Sequence, residues 1–186
     1  MFPLRDLNPS RGTAIVTIVL VALNIAAFFA WQPHGNPDAE SEFLYQRAAV
    51  ACELTGFSPI SEPDLEAGRC VPNTAPPLFP TGQIALSILV SMFLHGGLLH
   101  LAGNMWFLWL FGDNVEEAFA HLGYLLLYVV AGVGATLGFS ILHADSVEPP
   151  IGASGAIAGV LGPTSCCSRR GGCSRYGSSA SCRCRR

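Results

Sequence analysis

The chain has 186 residues, 51% of them apolar and only 12% charged, with a mean hydropathy of +0.43; soluble domains carry about 25% charged residues, so the composition excludes an ordinary soluble domain and points to a membrane protein. Charge is divided unevenly. Residues 1–162 hold four arginines and all thirteen acids, a net −9, whereas 163–186 hold six arginines and no acid, a net +6; there is no lysine, and five of the seven cysteines also lie in this tail.

Taken in order, Arg5 and Arg11 precede Ala14 to Trp31, a run broken only by Thr17 and Asn24 and long enough for a first membrane span at 14–31. Arginine before the span and acids after it place the N-terminus in the cytoplasm. Residues 32–81 then form a polar outside loop rich in acids and prolines. Cys52 and Cys70 lie within it, where an oxidising compartment would let them either bridge or stay as free thiols.

From Gly82 to Gly112 the chain is apolar but interrupted by His95-Gly96-Gly97, which suggests an interfacial segment at 84–94 and a second span at 98–111. Asp113, Glu116 and Glu117 are expected to make a turn before a third span at 122–142, in which Gly134 and Gly138 would let a neighbouring helix approach closely. Pro149-Pro150 ends the next loop, and a fourth span begins at 151 and breaks off at 162.

Two polar features lie within this apolar text. His100 and Asn104, four apart, share one helix face with a rise of about 6 Å between them near the outer end of the second span. Polar side chains at membrane depth face a partner helix or a watery cavity; helix-to-helix hydrogen bonding is the plainer role for the pair, and His95 reads as an interface residue. Ser154, in Gly152-Ala153-Ser154-Gly155, stands at the outer start of the fourth span, where Gly155 and Gly159 also have the spacing of simple helix packing. The three residues fall at the same depth, which gives a hydroxyl nucleophile beside two side-chain donors, as acyl transfer requires.

In these residues the chain resembles the rhomboid family of intramembrane serine proteases: His100-x-x-x-Asn104 in the second span, a glycine-rich third span, and Gly-Ala-Ser-Gly opening the fourth. The resemblance implies an all-α, polytopic membrane helix bundle of rhomboid type, with three complete spans and the start of a fourth. It implies a serine endopeptidase that cleaves membrane-anchored protein substrates within the lipid bilayer. Ser154 would be the nucleophile, and His100 and Asn104, with the Ser154 N–H, the oxyanion hole. No metal, organic cofactor or nucleic-acid partner is implied, and the expected location is a bacterial plasma membrane. The Trp-Arg pair of many members' first outside loop is absent, since Arg47 and Arg69 lack a neighbouring tryptophan.

The family's base is a histidine on a later span. Here the five histidines (His34, His95, His100, His121, His143) all precede Ser154, so the chain as written is expected to be a very poor protease, because an unassisted serine hydroxyl stays protonated. A non-catalytic rhomboid-like protein that binds transmembrane helices is the alternative.

The tail, 163–186, has no Leu, Ile, Val, Met, Phe or Trp, and reads as out-of-frame, disordered text. Serine and cysteine codons shifted by one base become apolar codons, so Thr164 to Cys167 would read Tyr-Leu-Leu-Leu and resume the span. The rival is a true cytoplasmic tail whose cysteines bind zinc or whose arginines bind lipid or nucleic acid; its cysteine spacings lack the paired Cys-x-x-Cys arrangement of a zinc site.

Overall fold

A computed structural model describes residues 12–56, 59–72, 74–79 and 84–168, with backbone alone for 84–85 and 162–168. Arg5, Arg11 and most of the tail, 169–186, lie outside the described residues. What is described is helical: α1 Ile15–Ala26, prolonged by a π-helical turn Ala27–Trp31, α2 Pro37–Arg47, α3 Ala51–Gly56, α4 Glu62–Ala67, α5 Ile84–Ser91, α6 Leu98–Leu142 and α7 Ser154–Ser168. Extended pairing among the described residues is limited to two isolated bridges, Ser61 with Pro77 and Arg69 with Ser146.

α6 is long and apolar enough to cross a membrane. As a straight rod its 45 residues would reach roughly 68 Å, more than twice the hydrocarbon thickness of about 30 Å. It is not straight. Ala120 leaves helical geometry at φ 58°, ψ 165°, and beyond it the chain turns back: a Cβ placed on Gly112 would lie 2.8 Å from the Tyr124 hydroxyl, a contact impossible across twelve residues of unbroken helix. α6 is therefore a helical hairpin with arms 98–119 and 121–142.

This moves the expected turn. Asp113, Glu116 and Glu117 are all helical, and the reversal falls at Ala120. The acids need not leave the helix, because the Glu116 carboxylate is buried and caps α1: it accepts from the N–H of Val16 and the N–H and hydroxyl of Thr17 at 2.8–2.9 Å. Those are donors that the first turn of α1 cannot satisfy within the helix. Ala120 occupies a backbone region that is essentially reserved for glycine and costs a substituted residue on the order of 1–3 kcal/mol. Ala120→Gly should accordingly stabilise the protein by about 1 kcal/mol, read as a rise in thermal midpoint in detergent; a lower midpoint would contradict the strained turn.

Polarity is inverted relative to a soluble helix. On α1 the buried stripe is Thr17, Leu20, Asn24 and Phe28, whereas Ile15, Ile18, Val19, Leu23 and Ile25 are exposed. The hairpin repeats this, burying Asn104, Glu116, Thr136 and Ser140 while exposing Trp106, Trp109, Leu122, Leu126, Val130 and Ile141. Apolar residues outside and polar ones inside suit a lipid solvent.

Glycines decide which helices touch, and of the two pairs with helix-packing spacing it is Gly155 and Gly159, not Gly134 and Gly138. Nothing lies within 4 Å of a Cβ on Gly134 or Gly138. The close approach is made by α7, where a Cβ on Gly155 would lie 2.4 Å from the Ala135 Cβ, and one on Gly159 2.2 Å from the Ala131 Cβ. Four-residue spacing on both helices lets α7 lie along the second arm.

The loop 32–81 is more ordered than a polar linker. Asn36 caps α2 through the N–H groups of Asp38 and Ala39, and Ser61 with Asp64 forms a capping box on α4, which Gly68 ends in the left-handed conformation. Val50, Cys52, Ile60 and Val147 pack into a small separate core, and Cys52 is disulfide-bonded to Cys70. These helices cap the end of the bundle where α6 and α7 begin. The opposite end carries Glu116 and the start of α1.

α7 begins at Ser154 and runs past the expected break at Gly162 to Ser168.

Candidate active site

At the capped end, α5 stops at Ser91, a glycine-containing turn follows, and α6 starts at Leu98. His100 lies in the first turn of α6 and is exposed; Asn104, one turn on, is only 7% exposed. Its Nδ2 is buried and makes no hydrogen bond to any described residue. A buried amide donor without an acceptor costs on the order of 1–3 kcal/mol, so this group is available to an incoming oxygen.

The strand of backbone leading to α7 closes over these two side chains. Gly152 adopts φ +108°, and a Cβ there would sit 2.8 Å and 2.9 Å from Cε1 and Nε2 of His100 and 3.5 Å from Nδ2 of Asn104. Only glycine combines that backbone with that proximity. Two residues later Ser154 is exposed at the first position of α7, and Ala153 supplies the first helical carbonyl, accepting from the Ile157 N–H. The N–H groups of Ser154, Gly155 and Ala156 consequently have no acceptor within the helix and lie at the positive end of its dipole. His100, Asn104 and Gly152, separated by about fifty residues of chain, are thus brought together by the fold, with Ser154 two residues further on. His34, His121 and His143 are not part of this cluster: His34 bonds the Phe28 carbonyl, His121 pairs with Glu116 at the other end, and His143 stacks on Phe139.

His95 is 2% exposed, and its ring meets that of His100 edge to face with centroids 5.3 Å apart. Burial, together with the neighbouring His100, pulls its pKa down to about 4, so the ring is neutral at pH 7, with Nδ1–H directed to the Phe93 carbonyl. Gln32, swung in by the π-helical turn that ends α1, holds the backbone of His95 from both sides: Nε2 donates to its carbonyl and Oε1 accepts from its N–H, each at 2.9 Å. Ser91 is the other support, 1% exposed; its carbonyl accepts from the Gly152 N–H at 2.9 Å and its hydroxyl from the Ala49 N–H at 2.7 Å. No local pattern marks Gln32 or Ser91, because both act on residues about sixty positions away.

A family profile for the Rhomboid domain matches residues 83–171, which takes in His100, Asn104 and the Ser154 helix. Over residues 83–171, a little under half of its length, the chain is similar to the rhomboid family. Among rhomboid relatives it is 36% identical over 75 residues to RHOMBOID-like protein 5 of Arabidopsis thaliana, covering 40% of this chain and 24% of that protein. It is 39% identical over 75 residues to rhomboid protease GluP of Bacillus subtilis (strain 168), covering 40% and 14%. Over 85 residues it is 33% identical to the bovine presenilin-associated rhomboid-like protein, mitochondrial, covering 44% and 22%. The chain thus spans a quarter or less of each of these rhomboids. They come from a plant, a bacterium and cattle, so the likeness selects no single membrane system. No solved structure matches.

Proposed function

We propose that the site is that of an intramembrane serine endopeptidase acting on membrane-anchored protein substrates. Ser154 Oγ attacks the scissile carbonyl carbon while a base takes its proton; the carbonyl oxygen becomes an oxyanion held by Asn104 Nδ2, the His100 imidazole and the Ser154 N–H. The observation that carries this reading is the buried, unpartnered Asn104 amide beside the Gly152 turn that leads into Ser154: donors set out in advance for a charge that appears only during reaction. α1 with its π-helical turn, the two arms of α6, and α7 are the spans, with the N-terminus in the cytoplasm and the cap outside.

The base is the missing part. No histidine follows Ser154 in the 186 residues, and we read the arginine-, serine- and cysteine-rich text after Gly162 as out of frame. That same observation favours a second reading, a non-catalytic rhomboid that holds transmembrane helices. Cleavage of a membrane-anchored reporter in proteoliposomes separates the two. The 186-residue chain alone should be slow; the chain continued in the apolar frame with its histidine should cut the reporter, and Ser154→Ala should reduce that rate by at least about 10⁴-fold. Cutting that survives Ser154→Ala would remove the nucleophile assignment.

A further inference from the structure

The cap does more than cover the bundle; it grips the segment that leads to Ser154. Cys52 donates its N–H to the Ser146 carbonyl at 3.3 Å, and Cys70 donates to the Asp145 carbonyl at 2.9 Å. Arg69 bridges Ser146, and the Thr55 hydroxyl donates to the Ala144 carbonyl at 2.8 Å. Val147, from the same segment, is 5% exposed and packs in the cap's own core against Val50, Cys52 and Ile60. Both disulfide cysteines therefore hold residues 145 and 146 directly, through their own backbones. A second route starts two residues before α3: the Ala49 N–H bonds the Ser91 hydroxyl, and the carbonyl of the same Ser91 fixes the Gly152 N–H.

We propose that the Cys52–Cys70 disulfide is a redox-sensitive clamp on residues 145–152, acting through the Asp145 and Ser146 carbonyls and, as a positioning residue, Ser91. The cap core is small, so the covalent tie is what keeps Cys52 and Cys70 side by side to grip two consecutive carbonyls. Cys70 is only half-buried whereas Cys52 is buried. A dithiol reductant attacks the Cys70 sulfur through its thiolate, forming a mixed disulfide and releasing Cys52 as a thiolate that takes a proton. The reductant's second thiolate then displaces Cys70, which is likewise protonated. Two electrons and two protons have passed to the protein, and the reductant leaves as its own disulfide. The reduced cap no longer fixes the two carbonyls, and the turn at Gly152, which lies against His100 and Asn104 at φ +108°, is freed. The clamp stands independently of the hydrolase reading; its effect on catalysis rests on that reading.

Amide hydrogen exchange, read by mass spectrometry on the full 186-residue chain in lipid nanodiscs with and without dithiothreitol, tests this without recourse to activity. Reduction should speed exchange by about tenfold or more in both 51–70 and 145–152, and leave 15–20, at the far end of the bundle, unchanged. Acceleration confined to 51–70, acceleration that includes 15–20 equally, or none at all would each overturn the clamp. Cys52→Ser with Cys70→Ser should show the reduced pattern without reductant, and an oxidised-like pattern in that variant would overturn it too. Should the double variant fail to fold, the reduced wild-type chain decides.

Discussion

Gly152→Ala should lower turnover of the histidine-bearing protein by about 10²–10³-fold, the usual effect of losing an oxyanion donor, with little change in KM. The new methyl group would stand 2.8 Å from His100 Cε1 in a backbone with φ +108°. Either the turn moves or the imidazole does, and both displace donors from the reacting oxygen. The change alters neither the helices themselves nor their exposed faces, which is why the effect belongs in kcat. Reporter kinetics at several substrate densities, with circular dichroism to verify helix content, check this. A rate within threefold of the parent would show that the fit of Gly152 against His100 is irrelevant to the chemistry.

The second large effect concerns assembly. Gly159→Val inserts a branched side chain where even a methyl would approach the Ala131 Cβ to 2.2 Å, and Gly155→Val does the same against Ala135 at 2.4 Å. An alanine Cβ is fixed to its backbone and cannot swing aside, so α7 must be pushed off the second arm of α6. Overpacking costs about 1–3 kcal/mol at one position, and two such positions on one interface use up much of the roughly 5–15 kcal/mol of a domain. The double variant should fail to accumulate as folded protein. Gly134→Val with Gly138→Val is the matched control, since nothing lies near either Cβ, and it should be tolerated. Thermal unfolding in detergent distinguishes the two; equal loss in both would contradict the observed α6–α7 contact.

Those two pairs also show how far the sequence reaches. Both have small-residue spacing, and spacing alone does not choose between them; which pair packs depends on the facing residues, Ala131 and Ala135, which only the fold identifies. The first apolar helix and the shared face of His100 and Asn104 were legible because they follow from local runs and helical period. Ser154 at a helix start was legible from the two prolines and the small residues around it. The turn was misplaced to 113–117 because three acids read as solvated, whereas Glu116 is buried as the cap of α1. Gln32, Ser91 and the burial of His95 were not legible at all, since each depends on a partner from a distant part of the chain.

The most direct test of the central claim is to react the histidine-bearing protein with a fluorophosphonate and map the adduct by mass spectrometry, timing its formation in parent and Asn104→Ala. The account predicts a single adduct, on Ser154, forming about 10²-fold more slowly when the Asn104 donor is removed. Modification of a different serine, or an Asn104→Ala rate equal to the parent, would contradict it.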